Sequence, residues 1–132
     1  MPPSLGILSV NALTASNEII IVIDAEKFSI NNLSNVISTI EGVQKRLNRD
    51  LQGYRLLINK MSNRAIKKEI NRVVRENFGK LVFETEIYDR IAVVEAAGQS
   101  IDVLSHDPDS ASASEYLTLA KEFINSHGKE II

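Results

Sequence analysis

The sequence contains no cysteine and only two histidines, His106 and His127. Without cysteine there are no disulfides, thiolate metal sites or cysteine nucleophiles, and two histidines are too few for a multi-histidine metal site. No apolar run approaches the about 20 residues that a membrane helix needs, and the N-terminus does not read as a secretion signal. We therefore expect a cytoplasmic protein with no membrane association and no metal site.

Phosphate-binding motifs and catalytic constellations are also missing. Neither GxxxxGK[ST] nor GxGxxG occurs, so the sequence predicts no glycine-rich nest of amides for a phosphate. Ser4 has no matching histidine and aspartate, and His106 beside Asp107 is typical of a solvated loop histidine. Asp24 ends an aliphatic run like a Walker B acid, but it also fits an ordinary acid at a strand end. We predict no catalytic residue.

What the sequence does contain is the composition of one soluble globular domain. Its 132 residues are 44% hydrophobic and 24% charged, enough to bury a core. The net charge of −2 conceals a strong asymmetry, because residues 44–80 hold eleven of the fifteen basic residues against three acids. This central segment carries +8 and the flanks are acidic, so it would attract a polyanion.

Hydrophobic periodicity predicts helices that alternate with buried strands. Strands are expected at 18–24, 54–59 and 80–85, the first of them buried on both faces. Helices are expected at 7–17, 31–48, 64–78, 91–97 and 111–126, with Asn31 or Asn32 capping the second and Gly79 ending the third. This alternation predicts a single α/β domain over 1–132, in which helices flank a three-layer parallel sheet.

The helix at 64–78 is the clearest amphipathic element. Its apolar stripe comprises Ile66, Ile70, Val73, Val74 and Phe78. Its basic residues are Arg64, Lys67, Lys68, Arg72 and Arg75. Such a stripe would bind DNA phosphates without regard to base sequence, although it also fits an ordinary solvated face. No aromatic residues interleave with it, which disfavours single-strand stacking.

Several short motifs, in order along nearly the whole chain, match a known family. They are Pro2–Gly6, Val10–Leu13, Asp24–Ile30 with Leu33, Leu57–Met61, Phe78–Gly79, Val82–Thr85, Glu95–Ala96 and Ala113–Glu122. Together they resemble the C-terminal half of ParA/Soj-type partition ATPases, which are MinD/ParA-like deviant Walker P-loop NTPases. Three stretches depart from the family pattern: Asn31–Asn32, Tyr88–Asp89 and the shortened Ala97–Gln99.

The resemblance implies a function. In the family, residues after two of the strands line the nucleotide-base pocket; here these are Asn59, Lys60 and Met61 on one side and Ile87, Tyr88 and Asp89 on the other. The Walker A loop precedes the region of resemblance, so we expect no cofactor in this chain alone, and ATP with Mg²⁺ only beside the N-terminal half. No ATP hydrolysis is expected from this chain by itself.

Two functions are compatible with these residues. The first is a ParA-like protein of plasmid or chromosome segregation, contributing dimer, base and nonspecific DNA surfaces. The alternative is a non-enzymatic module that binds DNA or a partner and modulates full-length partition ATPases. A bare apolar strand 18–24 would pair with a second copy, so we expect a homodimer or other homo-oligomer. A ParB-like centromere-binding protein and the nucleoid are the other expected partners.

Overall fold

The computed structural model describes residues 7–25 and 30–126. Its elements in chain order are α1 (Ile7–Ala15), β1 (Ile19–Asp24), α2 (Ile30–Arg46), β2 (Tyr54–Asn59), α3 (Ala65–Phe78), a 3-10 turn (Gly79–Leu81), α4 (Ile91–Gly98), α5 (Val103–His106) and α6 (Ala111–Ser126). The motif at Pro2–Gly6 and most of the one at Asp24–Ile30 lie outside the described residues.

β1 and β2 form a two-stranded parallel sheet. The amide of Ile19 donates to the carbonyl of Gly53 over 3.2 Å, and six residues further along both strands the amide of Ala25 donates to Asn59 over 3.2 Å. Because the residue numbers rise by the same amount on both strands between these two hydrogen bonds, the strands run in the same direction. The predicted α/β class is confirmed.

The third predicted strand, at 80–85, is wrong as a continuous element. Residues 79–81 form a 3-10 turn, and the chain then makes two separate parallel bridges, Val82 with Leu56 on β2 and Tyr88 with Met61 just beyond the end of β2. Between the bridges the amides of Glu84 and Thr85 donate to the carboxylate of Glu122 on α6. Phe83 N donates to Leu56 O on β2, so in a regular strand Thr85 N, two residues further on, would also donate to β2. Glu122 takes that hydrogen instead, and the ladder is interrupted there.

The chain divides into two compact units. Of the described residues, the first comprises 7–21 and 30–55, and its core is a cluster of buried side chains, Leu13, Ile40, Val43 and Leu51. Asn48, just after α2, donates from Nδ2 to the carbonyls of Leu13 over 3.3 Å and Ser16 over 2.7 Å. This amide satisfies carbonyls at the end of α1, which a helix end leaves without intrahelical partners.

Of the described residues, the second unit comprises 22–25 and 56–126. Its core is a cluster of Leu57, Phe83 and Ile87, and the α6 side chains Tyr116, Leu119 and Phe123 pack against it. The rings of Phe83 and Phe123 are tilted, with centroids 6.5 Å apart. The packing explains the spacing in the final motif, because positions 116, 119 and 123 share one side of a helix.

Most helix predictions are confirmed, including the stop at Gly79, whose φ of +51° suits a residue without a side chain. The cap predicted at Asn31 or Asn32 is wrong, because both residues lie inside α2. Burial of β1 on both faces is also wrong: Ile20 is 41% and Val22 56% exposed. Among the described helices, none is long and apolar enough to span a membrane.

We predict that Glu122→Ala lowers the free energy of unfolding by about 1–3 kcal/mol, since it leaves two amides and a hydroxyl without their acceptor. Glu122 accepts from Glu84 N over 2.7 Å, from Thr85 N over 2.9 Å and from Thr85 Oγ1 over 2.7 Å. Urea unfolding provides the measurement. Lys121→Ala, on the exposed neighbouring residue, is the control; an equal loss in both variants would contradict the assignment.

Candidate functional site

The two segments expected to line a base pocket meet at the carboxyl end of the second unit's strands. The amide of Met61 donates to Ile87 O over 2.9 Å, and the amide of Asp89 donates to Met61 O over 2.9 Å. Ile87 N reaches Ile58 O over 3.0 Å. Residues that lie more than 25 positions apart in sequence are therefore neighbours on one edge, which we call the carboxyl edge (Asn59–Met61 and Ile87–Asp89).

Burial separates these six residues into two groups. Met61 and Ile87 are only 3% and 2% exposed, so their side chains belong to the core and do not line a surface. Asn59 and Tyr88 are half-buried, and Lys60 and Asp89 are exposed. Each segment thus contributes one of its three side chains to the core, Met61 from the first and Ile87 from the second.

Lys60 carries the charge nearest to β1 on this edge. Its ammonium lies 3.7 Å from a carboxylate oxygen of Asp24, the last residue of β1. More than half of the lysine side chain is exposed, so water screens the pair and it adds little to stability. Asp24 is thus placed beside a cation at the strand end, as an ordinary acid there would be.

Arg90 and Glu115 complete the site, and sequence reasoning missed both. The guanidinium of Arg90 lies over the Tyr88 ring, 5.1 Å from its centroid, and donates to the Glu115 carboxylate over 3.3 and 3.2 Å. Glu115 also accepts from Tyr88 N over 3.3 Å. Its carboxylate raises the pKa of Arg90. The available signal was an isolated cation in an acidic segment, directly after the predicted pocket residues.

Lys67 lies away from the other basic residues of α3. It is only 3% exposed, and its ammonium donates to the carbonyl of Lys60 over 2.8 Å. Val74, which is fully buried, lies two turns further along the same side of the helix. Ile66, placed in the apolar stripe, is instead 55% exposed. The core-facing side of α3 therefore keeps Val74 of the predicted stripe and includes Lys67 in place of Ile66.

Acidic neighbours hold two more of the α3 cations. Arg72 pairs with Glu69 and, over 2.7 Å, with Glu76. Arg75 donates to Asn71 Oδ1 over 2.7 Å and to Glu86 over 3.1 Å. Arg64 and Lys68 are both exposed. The stripe of five predicted cations thus comprises one buried residue, Arg72 and Arg75 with their acidic neighbours, and the exposed residues Arg64 and Lys68.

Metal binding has no support in the described residues, where no group of three or more histidine, cysteine, aspartate or glutamate side chains could hold an ion. A groove of about 690 Å³ lies in the second unit, along α6. Its lining includes Glu84, Thr85, Glu115 and Glu122. Both glutamates of α6 already accept amide hydrogens there, so this groove is part of the packing that holds the carboxyl edge.

Comparison with known proteins gives consistent matches. A family model described as an AAA domain matches residues 1–53. The sporulation initiation inhibitor protein Soj of Bacillus subtilis is 35% identical over 122 residues, 92% of this chain and 48% of the relative. The chromosome-partitioning ATPase Soj of Treponema pallidum is 33% identical over 129 residues, 97% and 51% respectively. The chromosome partitioning protein ParA of Caulobacter vibrioides is 33% identical over 126 residues, which are 94% of this chain and 47% of the relative. The chain spans about half the length of these relatives.

The ion pair between Arg72 and Glu69 on α3 predicts a change in the titration midpoint of Glu69 when the arginine is removed. The hydrogen bond from Arg72 holds the pKa of Glu69 below its ordinary value of 4.5. A lowered carboxyl pKa stabilises the fold above the unfolded pKa, and this contribution is lost as pH falls through the folded pKa. We expect Arg72→Gln to raise the Glu69 titration midpoint in carboxyl-carbon NMR.

Arg90→Gln is the matched control for this titration, because Arg90 pairs with Glu115 and not with Glu69. It should leave the Glu69 midpoint unchanged. A Glu69 midpoint that is the same in the parent chain and in Arg72→Gln would show that the pair does not form in solution.

Proposed function

The chain belongs to the ParA/Soj-type family of chromosome-partitioning proteins, and from this premise we propose that it contributes a nucleotide-base site and a nonspecific DNA surface to the segregation of a chromosome or plasmid. The observation that carries the proposal is the carboxyl edge, where two distant segments are joined by backbone hydrogen bonds at Met61. Ligands of open α/β sheets bind beyond the carboxyl ends of the strands.

The side chains at this edge suit a purine. Asn59 presents an amide that can donate to and accept from the edge of a base, and Tyr88 presents a ring for stacking. Arg90 and Glu115 restrain that ring from one side. Met61 and Ile87 support the edge from the core. We therefore assign recognition to Asn59 and Tyr88, with Lys60 and Asp89 at the rim.

Phosphate and Mg²⁺ chemistry lies outside this assignment. When bound, ATP with Mg²⁺ would supply a hydrolysable phosphoanhydride, whereas the carboxyl edge would hold the base alone. We propose that this chain does not turn over ATP by itself. Turnover that a substitution at Asn59 or Tyr88 abolishes would contradict this statement.

The DNA surface is proposed for the exposed side of α3. Arg72 lies between two glutamates, so that trio carries a net negative charge and offers little attraction to a phosphate. Arg64 and Lys68 are then the residues through which the helix would meet a duplex. Contacts of this kind give affinity that is independent of base sequence and falls steeply with salt.

The alternative is a non-enzymatic module that binds DNA or a partner and modulates full-length partition ATPases. One observation favours self-association: β1 is an edge strand of the described sheet and exposes Ile20 and Val22. An exposed apolar edge is a template for pairing with another chain. We propose a homodimer through β1; a ParB-like protein and the nucleoid are further proposed partners.

We expect Tyr88→Ala to weaken adenosine binding by at least about fivefold, because stacking of a base on an aromatic ring contributes about 1–3 kcal/mol. Tyr88→Phe keeps the ring and is the matched control, which should retain the affinity. Saturation-transfer NMR with free adenosine measures both variants against the parent chain. Equal binding by the alanine and phenylalanine variants, or no binding by any of the three, would refute the base site.

For the DNA surface, we expect Lys68→Gln to reduce the slope of log affinity against log salt by about 0.9 for a random-sequence duplex, the change for one lost phosphate contact. Lys121→Gln on α6 removes the same charge from a different exposed helix and should leave the slope unchanged. Fluorescence anisotropy over several salt concentrations measures it. An equal effect of the two variants would mean that only net charge matters.

A further inference from the structure

Lys67 is buried in the second unit with a neutral partner. Its residue is 3% exposed, and among residues 7–25 and 30–126 the Lys60 carbonyl is the hydrogen-bond acceptor of its ammonium. Burial of an ammonium group is unfavourable unless hydrogen bonds or an opposite charge compensate for the water it loses. The role of this lysine therefore depends on the residue whose carbonyl it binds, Lys60.

Lys60 has an unusual backbone conformation. Its φ is +54°, in the left-handed region, which residues other than glycine, asparagine and aspartate seldom adopt. The strained residue is thus the one whose carbonyl Lys67 holds over 2.8 Å. A hydrogen bond to that carbonyl favours the conformation that orients it toward α3.

The left-handed turn changes which side chains reach the surface. Leu56 and Ile58 are fully buried on one face of β2, and strict alternation would place residue 60 on that same face. Instead the side chain of Lys60 is 55% exposed and faces Asp24, and Met61 returns to the core. Pairing with the 87–89 segment then resumes at Met61.

We propose that Lys67 is a positioning residue. It clamps the left-handed turn at Lys60, and so sets how Asn59 and Lys60 project from the carboxyl edge and where Met61 pairs with Ile87 and Asp89. This inference deepens the proposed base site and rests on it for the ligand readout alone. Because its ammonium is turned inward, Lys67 is not part of the proposed DNA surface.

The test is a rescue experiment. Lys67→Met keeps a long unbranched side chain but cannot donate, and Lys60→Gly adopts a positive φ without strain. We expect Lys67→Met to speed hydrogen exchange at the amides of Met61 and Asp89 by about tenfold relative to other core amides, on the scale of the left-handed penalty. Lys60→Gly/Lys67→Met should restore slow exchange, because glycine holds the turn without the clamp.

Three outcomes are decisive. Faster exchange throughout the unit, with no rescue by glycine, would mean that Lys67 only fills and stabilises the core, and would overturn the proposal. Unchanged exchange at Met61 and Asp89 would also overturn it. If Lys67→Met does not fold, Lys60→Gly is compared with the double variant, and loss of protection at Met61 in the latter contradicts the clamp.

Two further readouts separate this inference from the proposed function. Lys67→Met should leave the salt slope of duplex binding unchanged, whereas a phosphate contact would lower it by about 0.9. Adenosine affinity should fall in Lys67→Met relative to the parent chain, whereas the double variant should bind adenosine as tightly as Lys60→Gly, which lacks the same rim side chain. If the amides respond as expected while no variant binds adenosine, the clamp stands and the base site fails.

Discussion

The segment from Val82 to Asp89 divides its backbone hydrogen bonds between β2 and α6, and the second unit depends on this division. The segment pairs with Leu56 on β2 at one end and with Met61, just beyond β2, at the other, and it gives its middle amides to Glu122. Glu115 accepts the amide of Tyr88. The two glutamates are seven residues apart, two turns of one helix, so α6 presents both carboxylates to the same stretch of backbone. Helix packing, strand pairing and the carboxyl edge all follow from this arrangement.

That arrangement gives a physical meaning to two motifs that look unrelated in sequence. In the Ala113–Glu122 motif, Glu122 accepts from the backbone amides of Glu84 and Thr85, and Glu115 accepts from that of Tyr88. The side chains of Tyr116 and Leu119, which lie between the two glutamates, pack against the buried cluster that contains Phe83. A carboxylate that accepts several amide hydrogens replaces the missing ladder of a third strand. The interrupted strand is therefore a structured element, held at three points.

Fewer cations of α3 are available to a ligand in the structure than the net charge of the segment indicates. The segment 44–80 carries +8, yet Lys67 is buried and both Arg72 and Arg75 are bonded to acids. Glu69 and Glu76 are already subtracted in that +8, and Glu86 neutralises one further charge, so burial and pairing divide the basic residues of α3 instead of leaving them as one continuous face. The proposed DNA surface is correspondingly narrow, whereas the buried lysine serves the edge where the base is proposed to bind.

Family membership and fold are established, and activity, ligand and partners are proposals because the chain spans about half the length of its relatives.

The sequence by itself determined the α/β class, the extents of β2 and α3, the stop at Gly79 and the family, because hydrophobic period and motif order depend on local residue types. Tertiary structure alone decided which polar groups meet. Nothing in the sequence around Lys80–Thr85 shows that a carboxylate 37 residues away accepts the amide hydrogen of Thr85. Nothing in the sequence around Lys67 shows that its ammonium turns inward to Lys60. Arg90 gains its role only through its contact with Glu115. Hydrogen bonds between distant residues leave no periodic signal, since they depend on how the elements pack after each has formed.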